Sequence, residues 1–264
     1  RAASPMQVKP KNDVASPLNI APRGLIILVN FADLAFTETI EEMDSMHNAK
    51  NYTRDYEYVY RGNTYQVSSE GSARQYFYDA SFGQYNPQFD VIGPVTVSRE
   101  YAYYGKNNVN TQFDQRPWEM IKEACVIADT LLDVDFTQYD NDNDDIVDFV
   151  YVIYAGYGEA DGGEANTIWP HSYQLSAVGA YCRLDGVRVD LYACGNEIDY
   201  YTKKHTGIGT FCHEFSHVLG LPDLYTTEGQ THKTLGEWSI LDYGPYNNDG
   251  NTPPAYSAYE RFFM

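Results

Sequence analysis

The segment His213-Glu214-Phe215-Ser216-His217 constrains this chain more than any other. Two imidazoles four residues apart stand on one face of a helix, one turn from each other, so both can reach a single Zn²⁺. A glutamate beside the first histidine projects toward the same point. Gly220 follows His217 by three residues and Asp223 follows Gly220 by three, giving His-Glu-x-x-His-x-x-Gly-x-x-Asp. Glycine can take the positive φ that ends a helix sharply, and Pro222 cannot continue one. The chain can therefore double back and offer Asp223 as a third ligand. Three protein ligands leave one position open, the arrangement of catalytic rather than structural zinc. The competing reading is an amphipathic helix with two hydrogen-bonded histidines.

The chemistry follows from these residue types. Zinc lowers the pKa of water toward about 7 and polarises a carbonyl. Glu214 is placed to take the water's proton and hand it to a leaving amine.

Around this helix the hydrophobic pattern alternates between strands and helices. Gly24–Phe31 and Ile146–Tyr154 are apolar runs of strand length, and Phe89–Val97 and Val187–Ala193 alternate. Ser72–Ala80, Pro117–Leu132 and Thr206–Leu219 carry helical spacing, and Ile121, Ala124, Cys125, Ala128, Leu131 and Leu132 fall on one face. The segment from about Glu38 to Gln66 is polar, rich in tyrosine and poorly periodic. These patterns predict an α/β (α+β) protein with a twisted mixed sheet and long helices. Residues 1–23 read as a leader or linker, 24–220 as an upper lobe ending in the zinc helix, and 221–264 as a small irregular lower lobe.

The net charge of −19 disfavours nucleic acid and anionic membrane surfaces as partners. No apolar run is long enough to span a membrane. Part of the charge is concentrated in Asp140-Asn141-Asp142-Asn143-Asp144-Asp145-Ile146-Val147-Asp148. Asp140, Asp142, Asp144 and Asp148 occupy positions 1, 3, 5 and 9 of a calcium-type loop, and Ile146 offers a carbonyl at position 7. Asp145 replaces the usual glycine and Tyr151 stands where an EF-hand has glutamate, so a shorter structural Ca²⁺ loop is expected, against a solvated acidic turn. Glu159, Asp161 and Glu164 lie in a glycine-rich loop read as a flexible cleft rim, against a second calcium site.

Cys182 and Cys194 flank a segment that turns near Asp185-Gly186. A cross-strand disulfide and two free thiols are both open there. Cys125 and Cys212 are expected as buried thiols. His171 is expected to be structural and His47 to lie on the surface; the spacing of His205 and His232 gives no support for ligation.

Thr210–Tyr225, TFCHEFSHVLGLPDLY, resembles the zinc motif of the immune inhibitor A-like metallopeptidases, a metzincin-related family of secreted bacterial proteases. The similarity runs from about Gly24 to Phe262. It includes GLIILVNFAD at Gly24–Asp33, the Ser72-x-x-x-Tyr76-Phe77-x-x-x-Ser81-x-Gly83 stretch, Ala155-Gly156-x-Gly158 with Ile168-Trp169-Pro170-His171, and Glu237–Arg261. The resemblance implies His213, His217 and Asp223 as zinc ligands, Glu214 as base, and two lobes divided at Gly220 by a cleft. It implies extended protein or peptide substrates lying along an edge strand, a monomer, and a secreted or cell-surface bacterial location. Metzincins place methionine in a tight turn beneath the metal, where this chain has Leu241. Tyr243, two residues on, is the position from which some metzincins supply an oxyanion-stabilising tyrosine. The rival readings are an adhesion or binding module that keeps the fold without turnover, and a zinc hydrolase acting on a non-peptide bond.

Overall fold

The computed structural model describes residues 21–226 and 233–263. In chain order, these form β1 (Arg23–Asn30), α1 (Ile40–Asn48), β2 (Thr53–Tyr60), β3 (Asn63–Glu70), α2 (Ala73–Ala80), β4 (Gln88–Thr96), α3 (Tyr101–Gly105) and α4 (Pro117–Leu132). Then come β5 (Val150–Tyr157), β6 (His171–Gln174), β7 (Cys182–Leu184), β8 (Val187–Val189), β9 (Leu191–Ile198), α5 (Gly209–Val218) and α6 (Ala258–Phe263). The protein is mixed α/β, as its alternating pattern predicts. Two compact units share the chain. One comprises Pro22–Asp44 with Phe89–His205, and the other Ser45–Gln88 with the chain from Thr206 onward. Gly220 and helix α5 both lie inside the second unit.

The first unit is built on a five-stranded sheet in the order β4-β1-β5-β9-β6. β1 and β9 both run parallel to β5, while β6 runs antiparallel to β9, so the sheet is mixed. Its central strands are buried on both faces, which explains the unbroken apolar runs of β1 and β5. Helix α4 has the predicted bounds, with Pro117 in its first turn and Asp133 in the left-handed region closing it. Met120, Ile121, Ala124, Cys125 and Ala128 join the core. Leu131 and Leu132, expected on the same face, are 76% and 46% exposed, so the buried stripe of the helix stops at Ala128.

All four cysteines are buried free thiols. Cys182 pairs with Val189 across the small β7–β8 hairpin, whereas Cys194 lies in β9 next to β5, so the segment between them is not one hairpin and no disulfide joins them. His171 is structural, as expected. Its Nδ1 donates to the Trp169 carbonyl at 2.7 Å, its Nε2 lies 3.0 Å from the Tyr192 hydroxyl, and burial lowers its pKa.

The tyrosine-rich stretch holds the end of α1 and the β2–β3 hairpin of the second unit. Arg61 and Gly62, both at positive φ, make its two-residue turn. Arg54 is buried and donates to Asn251 Oδ1 at 2.8 Å, which anchors the hairpin to the segment after the zinc helix. His47, expected at the surface, is 1% exposed and packs edge-on against Phe211, 4.8 Å between centroids. Helix α2 starts at Ser72, whose hydroxyl accepts from Gln75 N.

Candidate metal centre

Helix α5 is held from several sides. Phe215 packs on Phe77 of α2 at 4.8 Å and stacks with Phe211 at 5.9 Å. Ser216 Oγ donates to the Cys212 carbonyl at 2.6 Å and lies 2.5 Å from the Tyr256 hydroxyl, all buried. At its N-terminal end, Gly209 N donates to the Gly250 carbonyl at 2.8 Å. A Cβ on Gly209 would collide with the Pro245 carbonyl oxygen, so only glycine lets the 245–250 backbone cross here.

At the other end, Gly220 takes φ +89° and donates to the His217 carbonyl at 2.9 Å, while Leu221 N donates to the Ser216 carbonyl at 3.1 Å. This is the expected glycine stop. The reversal carries Asp223 back to the histidines. Asp223 Oδ1 lies 3.4 Å from His213 Nε2 and 3.3 Å from His217 Nε2, and the two ring nitrogens are 3.3 Å apart.

The outward nitrogens decide what this triangle is for. His213 Nδ1 donates to the Ile240 carbonyl at 2.7 Å and His217 Nδ1 to the Leu221 carbonyl at 2.8 Å. A carbonyl can only accept, so each Nδ1 carries a proton, and in the neutral ring each Nε2 directs a lone pair inward. Asp223 Oδ1 is enclosed and receives no well-aligned hydrogen bond. Three lone-pair atoms this close repel unless a cation stands among them. Ligands placed tetrahedrally about 2.0–2.1 Å from a zinc ion lie roughly 3.3–3.4 Å from one another, so the N₂O triangle fits that metal in spacing and donor type.

Electrostatics express the same demand. Burial alone would lower the His217 pKa, but the Asp223 and Glu214 carboxylates beside the ring and the Leu221 carbonyl outweigh it and raise it to about 9. Burial would raise Asp223, yet the two histidines hold it well below the usual carboxylate range. Glu214 is buried with its carboxylate near both imidazoles, and desolvation raises its pKa.

Leu241 is fully buried in the turn after Trp238, whose neighbouring Ile240 carbonyl holds His213. The Leu241 carbonyl accepts from Leu224 N at 2.8 Å, so one turn fixes both a histidine ring and the segment carrying Asp223. Tyr243 is 62% exposed and lines a cavity of about 500 Å³ with Leu235, Gly236, Glu237, Trp238, Tyr246 and Asn247. Sequence reasoning missed Tyr225. Its hydroxyl hydrogen-bonds Asp223, and burial together with the Asp223 and Glu214 charges raises its pKa. The only signal was its place two residues beyond the third ligand.

The family model of the immune inhibitor A peptidase M6 catalytic domain matches residues 19–264. The chain belongs to this family. It is 27% identical to the pre-pro-metalloprotease PrtV of Vibrio cholerae serotype O1 over 277 residues, which cover 91% of this chain and 29% of that protein. It is 28% identical to immune inhibitor A of Bacillus thuringiensis subsp. alesti over 270 residues, covering 91% of this chain and 39% of the relative. The M6 chain described here thus spans well under half the length of these curated relatives.

The remaining predicted ligands of this M6 domain lie in its sheet-bearing unit. Carboxylate oxygens of Asp140, Asp142 and Asp148 come within 4.8 Å of one another. Asp144 and Ile146 stand outside that trio. Asp144 Oδ1 accepts from Ile146 N at 3.0 Å, and Asp140 accepts from Asp144 N and Asp145 N, both at 3.0 Å. His205 pairs with Glu42 at 3.5 Å, and His232 lies outside the described residues.

Proposed function

We propose that this chain is the catalytic domain of a secreted or cell-surface bacterial zinc endopeptidase that hydrolyses extended protein or peptide substrates. The observation that carries the reading is the triangle of His213 Nε2, His217 Nε2 and Asp223 Oδ1, with both outer ring nitrogens committed to backbone carbonyls. These three residues would hold the zinc. Bound there, zinc would acidify a water and polarise the scissile carbonyl.

The protein's own residues supply the proton transfers. Glu214, next to both imidazoles and shielded from bulk water, takes a proton from the attacking water as its oxygen bonds to the carbonyl carbon. In the return step Glu214 passes that proton to the leaving nitrogen as the C–N bond breaks. The turn at Ser239–Asp242 and the Gly220 reversal keep the imidazoles oriented throughout. Tyr243, two residues beyond the buried Leu241, is the candidate for stabilising the developing oxyanion. Asp140, Asp142 and Asp148, completed by Asp144 and the Ile146 carbonyl, would hold a structural Ca²⁺. Monomeric action is part of the same reading.

Casein or gelatin cleavage by the wild type, lost on zinc chelation and in Glu214→Ala, tests this function. Zinc binding without any cleavage would instead support the adhesion module, and hydrolysis of esters alone would support the non-peptide hydrolase.

A further inference from the structure

Ile240 is the outer hydrogen-bond partner of His213, and the turn that presents its carbonyl is itself fastened from behind. Ser239, Ile240, Leu241 and Glu260 are all fully buried. Ser239 Oγ donates to Glu260 Oε1 at 2.8 Å and accepts from Leu241 N at 3.1 Å. A hydroxyl has one proton, so giving it to Glu260 turns its lone pairs toward Leu241. The Ser239 carbonyl accepts from Gly244 N at 3.0 Å and Asp242 N at 3.2 Å, which closes the turn.

Glu260 is fixed in its own right. Its Oε2 accepts from Ser257 N at 2.5 Å, and its backbone N donates back to Ser257 Oγ at 3.3 Å, a reciprocal cap at the start of α6. Both carboxylate oxygens therefore face donors. Burying a carboxylate this completely is unfavourable unless it is well bonded. The donors all point one way: His213 Nδ1 and Leu224 N, beside Asp223, give to the turn's carbonyls, Leu241 N gives to Ser239 Oγ, and Ser239 gives to Glu260.

We propose that Glu260 is a positioning residue for the metal centre, holding the Ser239–Asp242 turn so that His213 keeps its ring orientation and Asp223 its place. The inference rests on the zinc reading of the site and deepens it. In Glu260→Gln the neutral side chain satisfies one of the two donors and turns its NH₂ toward the other, so the turn loses its fixed anchor.

The test is zinc affinity of the purified chain, measured by competition with a chromophoric chelator, together with the visible absorption of the cobalt(II)-substituted protein. Glu260→Gln and Ser239→Ala are each expected to weaken zinc binding about tenfold, as losses around ligand partners do, and to shift the cobalt bands. The double variant is expected to lose little more than either single one, because both act along one path. Ile121→Val, a core change in the other unit, lowers the melting temperature without altering zinc affinity or the cobalt spectrum and so controls for general destabilisation. The proposal is overturned if both variants bind zinc within twofold of wild type with an unchanged cobalt spectrum. Should Glu260→Gln fail to fold, Ser239→Ala and Glu260→Asp decide by the same readouts. Absence of zinc uptake by the wild type would instead refute the reading of the site itself.

Discussion

The Ile240 carbonyl accepts the Nδ1 proton of His213 at 2.7 Å across 27 residues of chain. That bond makes the ring's tautomer a property of the tertiary structure rather than of helix α5 alone. It leads to an expectation for the turn itself. Leu241→Met restores the residue metzincins use and conserves volume, so stability changes by less than about 1.5 kcal/mol. Zinc affinity stays within a few-fold, because the turn's contribution runs through backbone carbonyls. A chelator titration of the variant checks this, and a change of tenfold or more would show that the side chain matters.

Glu214→Gln keeps the shape of the buried side chain and removes its basicity. Peptide hydrolysis is expected to fall by about 10²–10⁴ while the bound-zinc content stays at the wild-type level. Steady-state kinetics beside metal analysis reads both, and loss of the metal in this variant would mean that Glu214 is a ligand.

Burial raises the Asp161 carboxyl to about 6 from 3.8, the nearby Asp199 charge adding to it and the Asn196 hydrogen bond at 2.8 Å opposing it. A carboxyl raised in the folded state favours folding while it is protonated. That contribution is fully present below pH 3.8 and is lost as pH rises through about 6. Asp161→Asn removes the dependence. It is expected to stabilise the protein by about 1–3 kcal/mol at pH 8 and to leave it unchanged below about pH 4. Urea titrations at the two pH values decide, and an equal effect at both would contradict the assignment.

Calcium at the Asp140–Asp148 loop would raise the melting temperature by several degrees, since a ligand at about 100 times its dissociation constant adds about 2.7 kcal/mol. Asp142→Asn is expected to abolish most of that rise. A wild-type melting temperature indifferent to Ca²⁺ would make the loop a solvated turn.

Gly209→Ala tests the crossing at the start of the zinc helix. A methyl group there meets the backbone at Pro245, which cannot rotate away as a side chain can. Destabilisation of about 3 kcal/mol or more is expected by thermal unfolding, with an effect below about 1 kcal/mol ruling out the close approach.

Helix α5, its glycine stop and the paths of β1, β4, β5 and α4 were legible because each is written in local spacing. Ser72 and Pro117 marked helix starts by their chemistry. What escaped was written elsewhere. The half-buried face of the β2–β3 hairpin carries Arg54, Tyr56, Tyr58, Tyr60, Val67 and Ser69, a mixture of charge, hydroxyl and ring with no clean apolar alternation, and only the Arg61-Gly62 turn offered a cue. His47 reads as polar surface until Phe211, far along the chain, covers it. Nδ1 of His213 and of His217 meets a backbone carbonyl, a group every residue carries, so no side-chain type announces it. Glu260 looks like any surface glutamate of a short helix; its burial depends on Ser239 arriving from a separate turn.

Zinc content after equilibrium dialysis tests the central claim most directly, compared between the wild type and variants replacing His213, His217 or Asp223 by alanine. One zinc per wild-type chain is expected, with each variant retaining far less under the same free-zinc concentration. A wild-type chain without zinc, or an Asp223→Ala chain that holds it as tightly as wild type, would contradict three-point capture by these residues.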